Sequence, residues 1–204
     1  KLKSEGVQLY WSLDEGSFLL GGFIPNVDKL VAAINVAEKG SVTMQVVGKA
    51  QGGHSSMPTS KSAVGHLSKA LARLEDNRMP GRLEGLSLEM FDEMSKHMPF
   101  IYKVAFANRW LFGGLIDSYL SRIPATNAML RTTTAPTMLS ASIKTNVLPI
   151  EAIGTVNFRI HPRNSVEDVF EHVRDLVESE SVEVRAMPYS GRPASEVSSW
   201  ESRG

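Results

Sequence analysis

The segment EAIGTVNFRIHP, residues 151–162, places Ala152, Gly154, Val156, Phe158 and Ile160 on one side of an extended chain. Ile153, Thr155, Asn157 and Arg159 fall on the other side. A period of two sustained this long does not fit a helix and marks a strand with one buried face. Such a strand requires paired neighbours and a second layer over its apolar side. Whatever else the chain builds, it contains a sheet covered on one face.

The neighbours can be read from the same periodicities. SVTMQVV, residues 41–47, alternates Val42, Met44 and Val46 with polar positions. Residues 61–76 carry Val64, Leu67, Leu71 and Leu74 at helical spacing. TMLSASIKTNVLP, residues 137–149, reads as a strand with Leu139, Ala141 and Ile143 on one face, and Leu148–Glu151 as a tight hairpin into the next strand. Ser165 is a helix N-cap followed by Glu167 and Asp168. The buried stripe of that helix is Val166, Val169, Phe170, Val173, Leu176 and Val177. SVEVRAMP, residues 181–188, is the last strand.

The order from residue 41 is therefore strand, helix, strand, strand, helix, strand. This predicts an α+β, ferredoxin-like domain: a four-stranded antiparallel sheet with two helices on one face. Residues 78–135, rich in Met and aromatics and punctuated by Pro80, Pro99 and Pro124, interrupt it. They predict an insertion of two to four short helices whose Met and aromatic stripes are core. Ahead of the sheet, VQLYWSL (7–13) reads as a buried strand and LVAAINVAEKG (30–40) as a second. YSGRPASEVSSWESRG (189–204) reads as a loose polar tail. An open sheet edge needs a partner or a cover, which predicts a homodimer formed through the sheet and a helix.

Composition narrows the function. Lys plus Arg and Asp plus Glu both number 22, so the formal net charge is zero. A nucleic-acid binder usually carries a basic excess, so that class is not expected. An RNA-binding ferredoxin-like domain would need an aromatic pair on its open sheet face, and Phe158 is on the core face. No apolar run reaches membrane-spanning length, and the N-terminus does not read as a secretory signal. With no cysteine, a metal site would have to use His, Asp and Glu, and the compartment is left open.

GGHSSMP, residues 52–58, isolates His54 in a strand-to-helix loop where backbone groups are accessible. An imidazole there can donate to a developing oxyanion, or can be a loop histidine without a role. His66, His97, His161 and His172 show no metal-binding spacing and read as structural. Glu15, in DEG after an apolar stretch, is a possible metal ligand, although one carboxylate cannot hold a zinc. Asn146 and Arg159 flank the expected hairpin. A guanidinium on the open sheet face can fork onto a carboxylate or sit in a surface ion pair.

Taken in order, LDEG, AEKG, GGHSSMP, TNVLP and NFRIHP resemble the aminoacylase/carboxypeptidase superfamily of di-zinc metallopeptidases. The helical insertion makes the carboxypeptidase S-like branch the most similar. The resemblance implies a zinc-binding domain interrupted by a dimerisation lid. Residues 1–37 would close the first part of the catalytic domain, 38–190 would be the lid, and 191–204 would return to the catalytic domain. His54 would reach the neighbouring subunit's active site and hold the oxyanion. Asn146 and Arg159 would bind substrate, and Glu15 would ligate one of two zinc ions. The other ligands and the general base are expected outside this chain, which is then inactive alone. The substrate would be a peptide or an N-acyl amino acid. The rival expectation is a stand-alone ferredoxin-like dimerisation or ligand-binding module without catalysis.

Overall fold

A computed structural model describes residues 2–7, 19–22 and 27–199. The expected strand at 7–13 falls, apart from Val7, outside these residues, and so does Glu15. Two short strands, β1 (Leu19–Leu20) and β2 (Val31–Ala32), pair antiparallel ahead of the main sheet. The sheet is built from β3 (Gly40–Lys49), β5 (Thr133–Ser140), β7 (Glu151–Ile160) and β8 (Val182–Ala186). Its order is β5-β7-β3-β8, all antiparallel. With helices α1 (Ala63–Asp76) and α6 (Val166–Val177), this is the predicted split βαβ arrangement.

The alternation seen in the sequence is what buries. Val42, Met44 and Val46 of β3 and Ala152, Val156, Phe158 and Ile160 of β7 share one cluster with Leu67, Leu71, Val169 and Val173 from the two helices. Gly48 is required for the contact: a Cβ there would lie 2.3 Å from the Ala63 carbonyl oxygen and 2.7 Å from the Leu67 nitrogen. The start of α1 therefore rests on bare backbone. Ser165 caps α6 as its sequence predicts, and Asp168 completes a capping box with it. On the open face, Arg185 donates to Glu151 and Glu183, and Lys49 pairs with Glu183, so that end of the sheet is held by charge.

Four expectations need correction. Val64 is 42% exposed, and the inner stripe of α1 uses Ala63 and Ala70 instead. The small side chains let the helix lie close on the sheet. Second, the strand expected at 137–149 begins at Thr133 and ends at Ser140; Leu139 and Ile143 are exposed. Pro136 stands beside a register shift, tolerable because β5 is an edge strand. Third, 30–40 is no continuous strand: only Val31–Ala32 pair, and Gly40 already opens β3. Fourth, the tail is not loose throughout. Ser41 exchanges backbone bonds with Arg192, and Ser195 and Ser198 donate to the carbonyls of Glu38 and Val36, so 192–198 runs beside 36–41.

The insertion folds as four helices: α2 (Gly85–Ser95), α3 (Phe100–Ala107), α4 (Arg109–Ser121) and α5 (Pro124–Leu130). They surround a second cluster of Phe91, Met94, Met98, Phe106, Ile116, Leu120 and Leu130, joined by Val27 from the segment before β2. Lys39 ties this body to the sheet by donating to the carbonyls of Ala128 (2.9 Å) and Arg131 (2.8 Å) at the end of α5. Among the described residues no helix is long and apolar enough to cross a membrane.

Candidate functional site

The loop leaving β3 is stitched to the loop entering β7. Ala50 donates to the Ile150 carbonyl, and Ser55 to that of Asn146. Between these bonds, β4 (Gly53–His54) pairs with β6 (Val147–Leu148). The expected hairpin at Leu148–Glu151 is therefore no simple turn between two main strands, because Val147 and Leu148 pair with the His54 loop. Gly52 permits the approach: a Cβ there would lie 2.8 Å from the Ile150 side chain and 3.1 Å from the Leu148 carbonyl oxygen. The result sets His54 Nε2 3.3 Å from Asn146 Nδ2, both side chains exposed. The helix expected over 61–76 begins at Ala63, where Ser62 caps it, so its free N–H groups are not those next to His54.

The other ring nitrogen decides the chemistry. The backbone N–H of Ser56 donates to His54 Nδ1 at 3.2 Å, and Ser56 Oγ lies 2.8 Å from the same atom. A backbone N–H cannot reverse its role, so Nδ1 is the acceptor and the neutral ring carries its proton on Nε2. Nε2–H then stands 3.3 Å from the nitrogen of the Asn146 amide. Flipped, the exposed amide accepts from Nε2–H through Oδ1; turned as it lies, its Nδ2–H and the Nε2–H are two donors that suit one oxygen gaining negative charge.

Arg159 is elsewhere. In the β3–β7 register Arg159 opposes Ser41, whereas Glu151, next to the Asn146 loop, opposes Lys49. Eight residue steps of antiparallel strand separate Glu151 from Arg159, about 27 Å at 3.4 Å per residue. The structure brings His54 and Asn146 together and sets Arg159 at the opposite end of the sheet.

That opposite end is cationic. Burial, then the charges of Arg159 and Arg163, lower Lys39 to about 8. Burial first, then Arg163 and Lys39, push His161 down to about 4. Arg163 is paired with Glu84, but no carboxylate pairs with Arg159 among the described residues. The surface ion pair considered for Arg159 is thus not formed, in contrast with Arg185 on the same face. An exposed, unpaired guanidinium beside further cations is suited to a carboxylate ligand.

Two contributors escaped sequence reasoning. Ser56 sets the tautomer of His54, and its signal was only its place two residues on, where an Asx-like turn back to a side chain can form. Lys39 stood inside the AEKG motif without an assigned role. Among the described residues, no three His, Asp or Glu side chains converge to hold a metal ion.

The family model described as the peptidase dimerisation domain matches residues 36–185. The chain is 42% identical over 188 residues to the N-fatty-acyl-amino acid synthase/hydrolase PM20D1 of Xenopus tropicalis, covering 92% of this chain and 37% of that protein. The human protein of that name is 40% identical over 187 residues, covering 91% of this chain and 37% of that one. The probable carboxypeptidase S-like 2 of Dictyostelium discoideum is 37% identical over 183 residues, covering 89% and 35%. The chain spans little more than a third of the length of these relatives.

Proposed function

This chain belongs to the peptidase dimerisation domain family, and from that premise we propose that it is the dimerising, substrate-binding lid of an amidohydrolase. The bond cleaved is the amide of an N-acyl amino acid or a peptide, the former favoured by the names of the frog and human relatives. The observation that carries the reading is the pair of donors, His54 Nε2–H and Asn146 Nδ2–H, held side by side and exposed.

In the proposed reaction these two donors receive the carbonyl oxygen of the scissile amide as it becomes an oxyanion. Their hydrogen bonds strengthen as charge develops, which lowers the barrier rather than only tightening the ground state. Arg159 takes the substrate carboxylate, aided by the positive field of Lys39 and Arg163. One lid cannot serve one substrate with both groups across about 27 Å of strand. We therefore assign His54 and Asn146 to the neighbouring subunit's active site and Arg159 to the subunit's own.

The dimer contact proposed for this arrangement is the β5 edge with the exposed side of α1. Residues 137–140 are exposed on both faces of that strand, with Met138 and Leu139 at 68% and 71%. Apolar side chains on an unpaired strand edge call for a partner strand. The His54–Asn146 loop lies just past the end of the same strand, so a partner docked there comes within its reach. Zinc is expected from the resemblance. Glu15 is the ligand this chain would offer, and the described residues assemble no donor set that fits the ion.

The test is kinetic, in the full-length protein. His54→Ala and Asn146→Ala should each lower kcat about 10²–10³-fold, the usual loss for one oxyanion donor, while the dimer persists. Arg159→Ala should act mainly through KM. Unchanged turnover in His54→Ala would remove the proposed role.

A further inference from the structure

The helical insertion contains a hollow that the amidohydrolase reading does not use. Phe91 of α2 and Phe106 of α3 stack with ring centroids 6.1 Å apart. Beside them a cavity of about 170 Å³ opens between α3 and α4, lined by Tyr102, Phe106, Leu115, Ile116 and Tyr119 among others. Every lining side chain is aliphatic, aromatic or thioether. Protein interiors rarely leave such a void, since its walls lose their packing partners. An apolar cavity of roughly 150 Å³ in another protein takes up benzene, so this one has room for a stretch of hydrocarbon.

The rim is equally apolar and is not covered. Leu115 is 69% exposed although it lines the cavity, and Leu111, one turn earlier on the same face of α4, is 59% exposed. A peptide entering this hollow would bury backbone N–H and C=O groups against walls with almost nothing to bond them. An alkyl chain carries no such groups. It would fill the cavity and cover the rim at once.

The placement in the fold is consistent with substrate. The insertion leads directly into β5, whose first residue, Thr133, pairs with Arg159. Lys39, the cation beside Arg159, is the residue that bonds the end of α5. The cavity's helical body is thus anchored at the end of the sheet that carries the carboxylate-binding arginine. Resting on the amidohydrolase reading, we infer that the cavity between α3 and α4 receives the hydrocarbon tail of an N-acyl substrate and makes the enzyme select long acyl chains.

The experiment uses the full-length protein, N-oleoylphenylalanine and N-acetylphenylalanine as substrates, and oleate as a binding probe that is not hydrolysed. Ala105→Phe fills the cavity from α3, and Leu115→Gln makes its rim polar at an exposed position that does not threaten the fold. In both variants the ratio of kcat/KM for the oleoyl substrate over the acetyl substrate should fall. Each methylene displaced from an apolar site costs about fourfold, so losing three gives roughly sixtyfold. Oleate binding by calorimetry should weaken in parallel. An unchanged ratio in both variants overturns the inference, as does failure of the wild-type protein to bind oleate. So does an altered solution mass with an intact ratio, which would make the rim a protein interface. If neither substrate is hydrolysed but oleate binds and Ala105→Phe abolishes the binding, the amidohydrolase reading falls and the hydrocarbon site stands.

Discussion

If the strand geometry divides each active site between subunits as proposed, a mixture of two impaired variants should recover activity. In the full-length dimer, His54→Ala would remove the proposed oxyanion donor that a subunit lends to its partner, and Arg159→Ala the proposed carboxylate clamp that it keeps. Each homodimer then carries two defective sites. A heterodimer concentrates both defects in one site and leaves the other intact. Random assembly of equal amounts makes half of the dimers mixed, each with one good site of two, so about a quarter of the wild-type sites return in a two-fold dimer. The rates are compared with substrate well below the raised KM of Arg159→Ala, and the background is the mean of the two parents, of which His54→Ala contributes below about 1% of wild-type turnover if one oxyanion donor is worth 10²–10³. The two levels are easily separated by hydrolysis rates after co-expression or after dissociation and reassociation of the purified variants. The expectation follows from eight residue steps of extended β7 between Glu151 and Arg159, about 27 Å, which no single substrate headgroup bridges. A mixture no more active than the average of its parents, with heterodimers shown to be present, would refute the division of the site.

Other expectations address the fold that holds these groups. Gly48→Ala should destabilise the chain by about 1–3 kcal/mol in urea unfolding, since its Cβ meets the backbone of α1 rather than a movable side chain; an unaltered midpoint would contradict the close approach. The His161 imidazole, pushed by burial to about 4 from its ordinary 6.5, binds a proton on unfolding between those values. Stability should therefore rise with pH across that window and be lost on acidification, and His161→Gln should flatten this part of the urea midpoint-versus-pH curve. Leu139→Lys on β5 should yield a folded monomer by sedimentation if the exposed edge is the dimer contact, and an intact dimer would move that contact elsewhere.

The parts of the fold that could be read from sequence are those whose burial is one-sided. β3 and β7 alternate because only one face is covered, and α6 shows its stripe and its cap because both lie within one local segment. β5 was misplaced for the complementary reason. Its last four residues are exposed on both faces, so the alternation of Leu139, Ala141 and Ile143 marks no buried side and runs on past the strand's end at Ser140, and Pro136 reads as a break although an edge strand tolerates it at a bulge. The tail reads as loose because its bonds to 36–41 run from backbone to backbone and leave no pattern in side-chain chemistry. Of the insertion, the helices were visible but the hollow between α3 and α4 was not. Aromatic and methionine stripes announce a core without saying how well it fills.

The candidate site separates sequence proximity from spatial proximity. Asn146 and Arg159 are near neighbours in the chain and were read as a pair, yet the intervening residues are mostly extended strand, the conformation that carries them farthest apart. Asn146 and His54 are 92 residues apart, and two-residue strands too short to leave a periodic trace bring them into contact. The same rigid β7 that spoils the first pairing suits the lid's proposed use. A strand about 27 Å long, fixed on one face by α1 and α6, would act as a spacer that keeps the proposed clamp and oxyanion donors from collapsing into one cluster. A single subunit then cannot assemble the full proposed site however its loops move, so turnover should depend on dimerisation and fall with dilution below the dimer's dissociation constant. Activity per subunit that stays constant through that dilution, with dissociation confirmed in the same sample, would show that one chain suffices and that β7 is only structural.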